Sequence, residues 1–333
     1  MPDSDKPRPT LRTIAELSGL AVPTVSRALN DAPDIGVATK EKVRAIASQI
    51  GYVPNRAGLR LRTGKTNVIS LVLCSDHEVT DHTGQLVSSI ADALRDTRYH
   101  LIVTPYFPGE DPMKPVRYIL ETGSADALIL NRIEVEDPRV AYLLRRQFPF
   151  ATYGRTKWRE QHPYFDFDNV AFGRIAAQEL VRSGRRRIAM LTPPLTQNYA
   201  QDMLKGAREA IAQTEAHFEA IPGSSSDESG EDIKEHIRDF LLRRTDIDGI
   251  IAPSSTAAIF ASVGAEGAGR VLGQDLDIFA KEAVPFLQHF RHAIKVVRED
   301  VQNAGSFLAK AAIRAIEAPN KAPSQDIISP KQV

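Results

Sequence analysis

Two helical patterns of apolar and polar positions follow each other near the start of the chain. Apolar residues recur at helical spacing over residues 11–18, with Leu17 expected on the inner face, and Gly19 follows where a helix can end. A second pattern covers residues 22–29, and its outward side chains are Pro23, Thr24, Ser26 and Arg27. Two helices around a glycine turn are typical of a helix-turn-helix unit, whose second helix enters the DNA major groove. An ordinary αα-hairpin is the alternative for this stretch alone.

A third helical pattern and a basic segment come next. Thr39 is predicted to cap the third helix and Gly51 to end it. Residues 52–66 are the most basic segment of the chain, and Ala57 and Leu61 are spaced to share one face of a short helix. Such a helix suits the minor groove, where an apolar side chain parts a base step while arginines hold phosphates. A solvated linker is the alternative.

From residue 67 onward, short apolar strands alternate with amphipathic helices. The predicted strands are 68–74, 101–104, 127–130, 150–153, 188–191, 249–252, 277–280, 294–297 and a short one near Ile327. This alternation predicts parallel sheets with helices on both faces. The turn-rich stretch 164–169 would divide them into two α/β subdomains with a cleft between them. Because ligands of open α/β sheets lie outside the carboxyl ends of the strands, residues that follow strands are candidate ligand contacts.

Charge is distributed unevenly along the 333 residues. The formal net charge is zero, but residues 1–66 hold 11 basic and 6 acidic residues, and the remainder holds 31 and 36. A basic head on an acidic body is expected when only the head meets DNA phosphates. The single cysteine, Cys74, excludes an internal disulfide, and the chain contains no 18-residue apolar run and no apolar signal-peptide core. We therefore expect a cytoplasmic protein that binds no membrane.

The first 66 residues resemble the lac-repressor/galactose-repressor family. The similarity is dense over residues 11–30, 51–55 and 57–64, and it continues more loosely through the body over residues 148–155, 166–169 and 185–189. It implies an α/β protein with an N-terminal helix-turn-helix head and a two-lobed, type I periplasmic-binding-protein-like core with parallel sheets. It also implies a homodimer, with a tetramer left open, on a palindromic operator of double-stranded DNA, and a small carbohydrate effector. No cofactor or metal is expected.

The resemblance implies domains and DNA contacts by position. The predicted domains are a disordered arm at 1–9, a helix-turn-helix domain at 10–54, a hinge helix or linker at 55–66, and an effector-binding and dimerisation core at 67–333. The base-reading positions are Val22, Pro23 and Arg27, and the hinge lever is Leu61, next to Ala57. The implied phosphate or positioning contacts are Thr10, Thr24, Ser26, Asn30, Asn55 and Arg56. Ala21 departs from the family, which often has a serine there to cap the helix.

Residues that follow strands or begin helices are the predicted effector contacts: Asp76, Asn131, Arg155, Asp168, Gln201, Ser254 and Lys281. Arg155 is the leading candidate because a fixed planar donor suits sugar hydroxyls or a carboxylate. Its alternative role is an ion pair with Asp166 or Asp168. Asp76 lies among histidines and further carboxylates, but their spacing fits no familiar metal motif. Hydrogen bonding to a polyhydroxylated ligand and a solvated loop are the alternatives for Asp76.

Two landmarks differ from the family pattern. Residues 253–256 are Pro-Ser-Ser-Thr where relatives often carry Asn-Asp, and residues 277–282 replace a common Gly-Phe-Asp-Asp. Lys281 therefore lies where an acidic sugar-binding residue often occurs. This substitution leaves two kinds of effector open, a sugar acid or a neutral α-glucoside or other oligosaccharide.

These features predict a sequence-specific DNA-binding transcriptional regulator. The expected activity is repression of carbohydrate uptake or catabolism genes, relieved when a small sugar releases the protein from its operator. An activator or a corepressor-dependent regulator of the same family is the alternative. A sugar-modifying α/β enzyme is a weaker rival, because the glycine-rich residues 264–269 follow a helix and have the wrong order for a dinucleotide-binding motif.

Overall fold

A computed structural model of the chain describes residues 9–52, 64–74 and 81–332. The chain divides into two compact units, residues 1–66 and residues 67–333. Five of the residues proposed to bind DNA or effector lie outside the described residues: Asn55, Arg56, Ala57, Leu61 and Asp76. The arm predicted at 1–9 also lies outside them, except for its last residue.

Three helices form the first unit around a small apolar core. They are α1 (Leu11–Ser18), α2 (Val22–Leu29) and α3 (Val37–Gln49). Each helix contributes one face to the core, which contains Ile14, Ala15, Val25, Ala28, Val43 and Ala47. Gly19 ends α1 with a φ of 72°, a left-handed conformation that glycine adopts without strain. The chain can therefore turn directly into α2.

Two details of the head differ from the sequence prediction. Leu17 is 58% exposed, because successive helix residues are about 100° apart and the face shared by Ile14, Ala15 and Ser18 excludes it. Helix α3 begins before Thr39, whose amide already donates to the carbonyl of Gly36 at 3.0 Å. The predicted cap at Thr39 is therefore wrong.

Two sheets organise the described part of the second unit. The first sheet contains β1 (Val68–Cys74), β2 (His100–Tyr106), β3 (Ala127–Leu130), β4 (Phe150–Tyr153), β5 (Tyr164–Phe167) and β11 (Gln325–Ile328). The second contains β6 (Arg187–Met190), β7 (His217–Ala220), β8 (Gly249–Ala252), β9 (Asp277–Glu282), β10 (Ile294–Arg298) and β12 (Lys331–Gln332). The strand orders are β11-β5-β4-β3-β1-β2 and β12-β10-β9-β8-β6-β7. The described strand pairs are parallel, except that β12 runs antiparallel to β10.

Helices cover both faces of each sheet. They are α4 (Asp81–Leu94), α5 (Met113–Thr122), α6 (Pro138–Arg145), α7 (Asn169–Arg182), α8 (Asn198–Ile211), α9 (Gly230–Arg243), α10 (Ser255–Gly267), α11 (Leu287–Phe290) and α12 (Val301–Glu317). On the first sheet, α4 and α12 pack on one face with Ile69, while α5 and α6 pack on the other with Leu128. On the second sheet, α9 and α10 pack with Ile250, while α7 and α8 pack with Ile251. Double coverage explains why β1 and β8 are buried along their whole length and apolar except at Ser70.

The chain passes three times between the two sheets. It crosses from β5 into α7, returns from β10 into α12, and crosses again between β11 and β12. Helix α7 packs on the second sheet and α12 on the first. The residues just after β5 and β10 therefore lie where the two subdomains meet.

The predicted fold class, an α/β chain with a helix-turn-helix head and parallel sheets, is confirmed. One local prediction was wrong, and one strand was missed. The stretch 164–169 is not only a turn, because residues 164–167 form the buried strand β5. Strand β7 was not predicted, because this edge strand is partly exposed and has no apolar run. Among the described residues, no helix combines the length and apolarity that a membrane span requires.

Candidate functional site

The second helix of the head presents a mixed apolar and polar outer face. Val22, Pro23 and Arg27 are exposed, and Thr24 and Ser26 are half-buried. The opposite face of α2 packs into the head core, so these side chains are the part of the helix that a DNA groove could meet. Their contacts with DNA stay predictions.

Arg27 forms an ion pair within the head. Its guanidinium contacts the carboxylate of Asp34, and both side chains are about half exposed, at 56% and 47%. The guanidinium donors that would bind a guanine edge are therefore shared with an acidic neighbour in the loop after α2.

The polar residues at the helix ends have structural partners. Thr10 caps α1 reciprocally with Thr13: the Thr13 amide donates to Thr10 Oγ1 at 3.3 Å, and the Thr10 amide donates to Thr13 Oγ1 at 3.1 Å. At the end of α2, the Asn30 side-chain amide donates to the Ser26 carbonyl. Ala21 is the N-cap residue of α2 and makes no side-chain cap hydrogen bond. The prediction that α2 lacks a capping oxygen is therefore confirmed. The structure thus gives Thr10 and Asn30 stabilising roles, and their phosphate contacts stay predictions.

A cavity of about 260 Å³ lies where the carboxyl ends of the two sheets meet. Its wall includes residues that end or follow strands of both sheets: Asn131, Tyr153, Pro253, Lys281 and Glu299. This is the place where open α/β sheets bind ligands. The volume is close to the lower end of the roughly 300–1,000 Å³ typical of small-molecule sites.

Glu299 is the centre of a buried network in the cavity wall. Lys281 Nζ lies 2.7 Å from Glu299 Oε2, the Tyr153 hydroxyl donates to Oε1 at 2.5 Å, and His82 Nε2 lies 3.7 Å from Oε1. Burial by itself raises the pKa of Glu299, but the contacts with Lys281 and His82 outweigh burial and hold the pKa well below its usual range. Burial and the neighbouring carboxylate raise the pKa of Tyr153. The network therefore contains a charged carboxylate and a protonated phenol that donates to it.

The Lys281 amine is enclosed by more than its ion pair. Nζ lies 5.0 Å from the centre of the Phe167 ring and 5.8 Å from that of Tyr199, and it donates to Asn169 Oδ1 at 3.4 Å. Only 11% of the side chain is exposed. The amine is therefore a positioned charge held by a carboxylate, two aromatic faces and an amide oxygen.

Arg155 links the two subdomains. Its Nε donates to Asp166 Oδ2 at 2.5 Å, and its Nη2 donates to Asp202 Oδ2 at 2.9 Å. Asp166 belongs to β5 of the first sheet, and Asp202 belongs to α8 on the second. Burial raises the pKa of Asp166 to about 7, although the charge of Arg155 opposes this shift. Burial also raises the pKa of Asp202.

The loop after β3 makes further contacts between the subdomains. Arg132 Nη1 lies 3.2 Å from Asp227 Oδ2. The backbone N–H of Asn198 donates to the carbonyl of Ile133 at 2.9 Å. Because Arg132, Ile133, Asn198 and Asp227 also line the cavity, these contacts join its two walls.

Three predicted effector residues line the cavity: Asn131, Ser254 and Lys281. Asn131 Oδ1 is buried and has no hydrogen-bond partner among the described residues, so a ligand hydroxyl could satisfy it. Ser254 also caps α10, where its Oγ accepts from the Ala257 amide at 3.1 Å. The binding roles of these three residues stay predictions.

Three other predicted effector residues do not line the cavity. Arg155 is occupied by its two carboxylates, one of which, Asp166, is the ion-pair partner proposed as its alternative. Asp168 caps α7, with Oδ1 accepting from the Ala171 amide at 2.9 Å. Gln201 is exposed and donates to a carbonyl of the preceding loop. A polar residue that follows a strand can be either a ligand contact or a helix cap. The sequence could not distinguish the two roles, because the same residue types serve both.

Sequence reasoning missed three prominent wall residues: Tyr153, Asp227 and Glu299. Glu299 directly follows β10, so the rule that selected the other candidates would have found it. Asp227 lies in the loop after β7, and no sequence pattern marks either that edge strand or its loop.

Comparisons with known proteins match both units of the chain. Residues 10–55 match the family model of bacterial regulatory proteins of the lacI family, and residues 125–286 match the periplasmic binding protein domain. The HTH-type transcriptional regulator AglR of Rhizobium meliloti (strain 1021) is 28% identical over 323 residues, which cover 95% of this chain and 90% of AglR.

Solved structures share the fold over nearly the whole chain. The lac repressor dimer bound to operator and the anti-inducer ONPF has a TM-score of 0.82 at 18% identity. The transcriptional regulator CelR in complex with cellobiose has a TM-score of 0.72 at 23% identity. Each comparison covers 98% of both chains. Together with the domain match, this likeness of fold confirms the predicted periplasmic-binding-protein-like core.

Proposed function

The chain belongs to the LacI family of bacterial regulatory proteins, and from this premise we propose that it represses genes for carbohydrate uptake or catabolism. As a DNA-binding transcriptional regulator rather than an enzyme, it would use two sites, the outer face of α2 and the cavity of the core. A small carbohydrate bound in the cavity would release the head from its operator. The protein would act in the cytoplasm, where the bacterial chromosome lies.

The observation that carries the proposal is the cavity, with polar groups from both sheets in its wall, on the same chain as the helix-turn-helix head. Its wall combines amide, hydroxyl, carboxylate and ammonium groups from both sheets, including Asn131, Tyr153, Ser254 and Lys281. Such a mixture suits a polyhydroxylated ligand, because every sugar hydroxyl both donates and accepts hydrogen bonds. The CelR structure, which has the same fold, contains cellobiose.

The head supports a paired operator. One α2 helix offers only the short outer face around Val22, Pro23 and Arg27, which is enough for half a binding site. A second copy of the chain would supply the other half, and two-fold symmetry would make the operator palindromic. The lac repressor structure is a dimer bound to operator.

Binding-site selection with the full-length chain tests this proposal. We expect a palindromic duplex to be selected, and fluorescence anisotropy should show at least one sugar of a mono- and disaccharide panel weakening that binding tenfold or more. Arg27→Ala should weaken binding to the selected duplex by about 1–3 kcal/mol, because a bidentate base contact is lost. Arg244→Ala, which removes an exposed arginine from the core, should leave it unchanged.

The outcomes separate the alternatives. A sugar that tightens operator binding would indicate a corepressor-dependent regulator instead of an inducible repressor. If no duplex is selected at moderate salt, with or without sugars, the proposed function is wrong.

A further inference from the structure

The cavity wall contains more carboxylates than cations. Its lysine and arginine side chains, among the described residues, are Arg132 and Lys281, and its carboxyl groups are those of Asp166, Asp227, Glu228 and Glu299. Each cation faces a carboxylate: Arg132 Nη1 lies 3.2 Å from Asp227, and Lys281 Nζ lies 2.7 Å from Glu299. His82, which also lines the wall, faces Glu299 as well, at 3.7 Å. Within the described wall, every lysine and arginine side chain therefore already faces a carboxylate, and none is left over to balance a negative charge on a ligand.

The Lys281–Glu299 pair is especially costly to break. The two side chains are only 11% and 4% exposed, and the amine is enclosed by the rings of Phe167 and Tyr199. An anionic ligand that took the amine for itself would leave Glu299 buried without its partner, and an unpaired buried charge is strongly unfavourable. A ligand hydroxyl does not require the ion pair to break. An ammonium group has three donors and can bind the hydroxyl while the ion pair stays intact.

We propose that the Lys281–Glu299 pair determines the chemical class of the effector, so that the cavity admits uncharged carbohydrates and rejects sugar acids and sugar phosphates. This inference rests on the proposed function, in which the cavity binds a carbohydrate. From Lys281 alone, a sugar acid was a possible effector. The structure pairs Lys281 with Glu299, whose negative charge offsets the charge of the lysine within the wall.

Isothermal titration of the full-length protein with matched sugars tests the inference directly. The pairs glucose and glucuronate, and galactose and galacturonate, keep the sugar ring and differ chiefly in charge, and glucose with glucose 6-phosphate adds a test of a phosphate group. We expect at least one neutral sugar to bind at least tenfold more tightly than its anionic counterpart, and no anionic sugar to bind more tightly than its neutral form. An anionic sugar that binds as tightly as its neutral form, or more tightly, would overturn the inference.

Charge-altering variants test the role of the pair itself. Glu299→Gln keeps the size of the side chain but leaves the Lys281 charge uncompensated, so the neutral-to-anionic affinity ratio should fall at least tenfold. The double variant Lys281→Met/Glu299→Gln removes both charges and should restore the preference for the neutral sugar. Lys295→Met, at a lysine of β10 outside the cavity wall, is the matched control and should leave the ratio unchanged.

The possible failures are distinguishable. An unchanged ratio in folded Glu299→Gln would overturn the role of the pair and leave the proposed function standing. Binding of no carbohydrate, neutral or anionic, would overturn the proposed function and this inference with it. Should Glu299→Gln fail to fold by circular dichroism, the wild-type ratio still decides whether the cavity selects neutral ligands.

Discussion

Arg27 and Asp34 place opposite charges side by side on the face proposed to read DNA. Because both side chains are about half exposed, their ion pair stabilises the head by no more than about 1 kcal/mol. Its larger effect would be on binding, since the Asp34 carboxylate competes with a base edge for the guanidinium and repels phosphates. The acidic neighbour would then weaken contacts with the correct site more than contacts with unrelated DNA.

We expect Asp34→Asn to raise affinity for an unrelated duplex several-fold, and affinity for the selected operator by more, because the freed guanidinium also contacts a base edge. Removal of a negative charge strengthens the sequence-independent attraction to phosphates. Fluorescence anisotropy on operator and scrambled duplexes at one salt concentration measures the specificity ratio. Asp92→Asn, at an exposed aspartate of α4 that pairs with Arg95, is the control. An unchanged ratio would show that Asp34 does not restrain Arg27.

At the scale of elements, α7 and α8 approach so closely that two positions exclude a side chain. A Cβ at Gly173 would lie 2.1 Å from the Met203 carbonyl oxygen, and one at Gly206 would lie 1.9 Å from that of Val170. Both clashes are with backbone atoms, which cannot move aside as a flexible side chain can. The two glycines therefore set the distance between the helices that cover one face of the second sheet.

Gly206→Ala should destabilise the core by about 1–3 kcal/mol, because the added methyl group forces the two helices apart. The comparison is Gly84→Ala in α4, where a Cβ would meet no described atom within 4 Å. This second variant should stabilise the core by about 0.4–1 kcal/mol, since alanine restricts the unfolded chain. Urea denaturation measures both free energies of unfolding. Equal effects of the two substitutions would contradict the close packing of α7 on α8.

At the scale of the molecule's core, the two subdomains are joined by side chains as well as by the three chain crossings. Arg155 contacts Asp166 of the first subdomain and Asp202 of the second, beside the wall of the cavity. A contact that exists only while the subdomains are together stabilises that arrangement over an open one. If the effector binds the closed core, the two equilibria are linked.

Asp202→Asn should therefore weaken effector binding several-fold, although Asp202 itself does not line the cavity. The neutral amide holds Arg155 less strongly, and the closed core would be less populated. Isothermal titration with the tightest-binding sugar of the panel measures the change. Asp239→Asn, which alters an exposed ion pair on α9, is the matched control. If Asp202→Asn and the wild type bind the sugar equally tightly, the Arg155–Asp202 ion pair does not stabilise the closed arrangement of the subdomains.

The sequence by itself determined those helices and strands whose pattern of apolar and polar residues follows their burial. Strands such as β1 and β8 are continuous apolar runs because parallel sheets are covered on both faces. The helix pair of the head was recognisable from apolar spacing and Gly19. The rule that ligands lie at the carboxyl ends of strands selected Asn131, Ser254 and Lys281, which line one cavity.

Tertiary structure alone decided which polar groups meet. Lys281 lies on β9 and Glu299 just after β10, and they become partners because these strands pair in parallel. Arg155 became a link between subdomains instead of a wall residue because α8 brings Asp202 against it. Local patterns record how much of a residue is buried, since burial repeats with the period of a helix or strand. They do not record which distant charge will lie beside it, because that depends on strand order and on how the two subdomains meet.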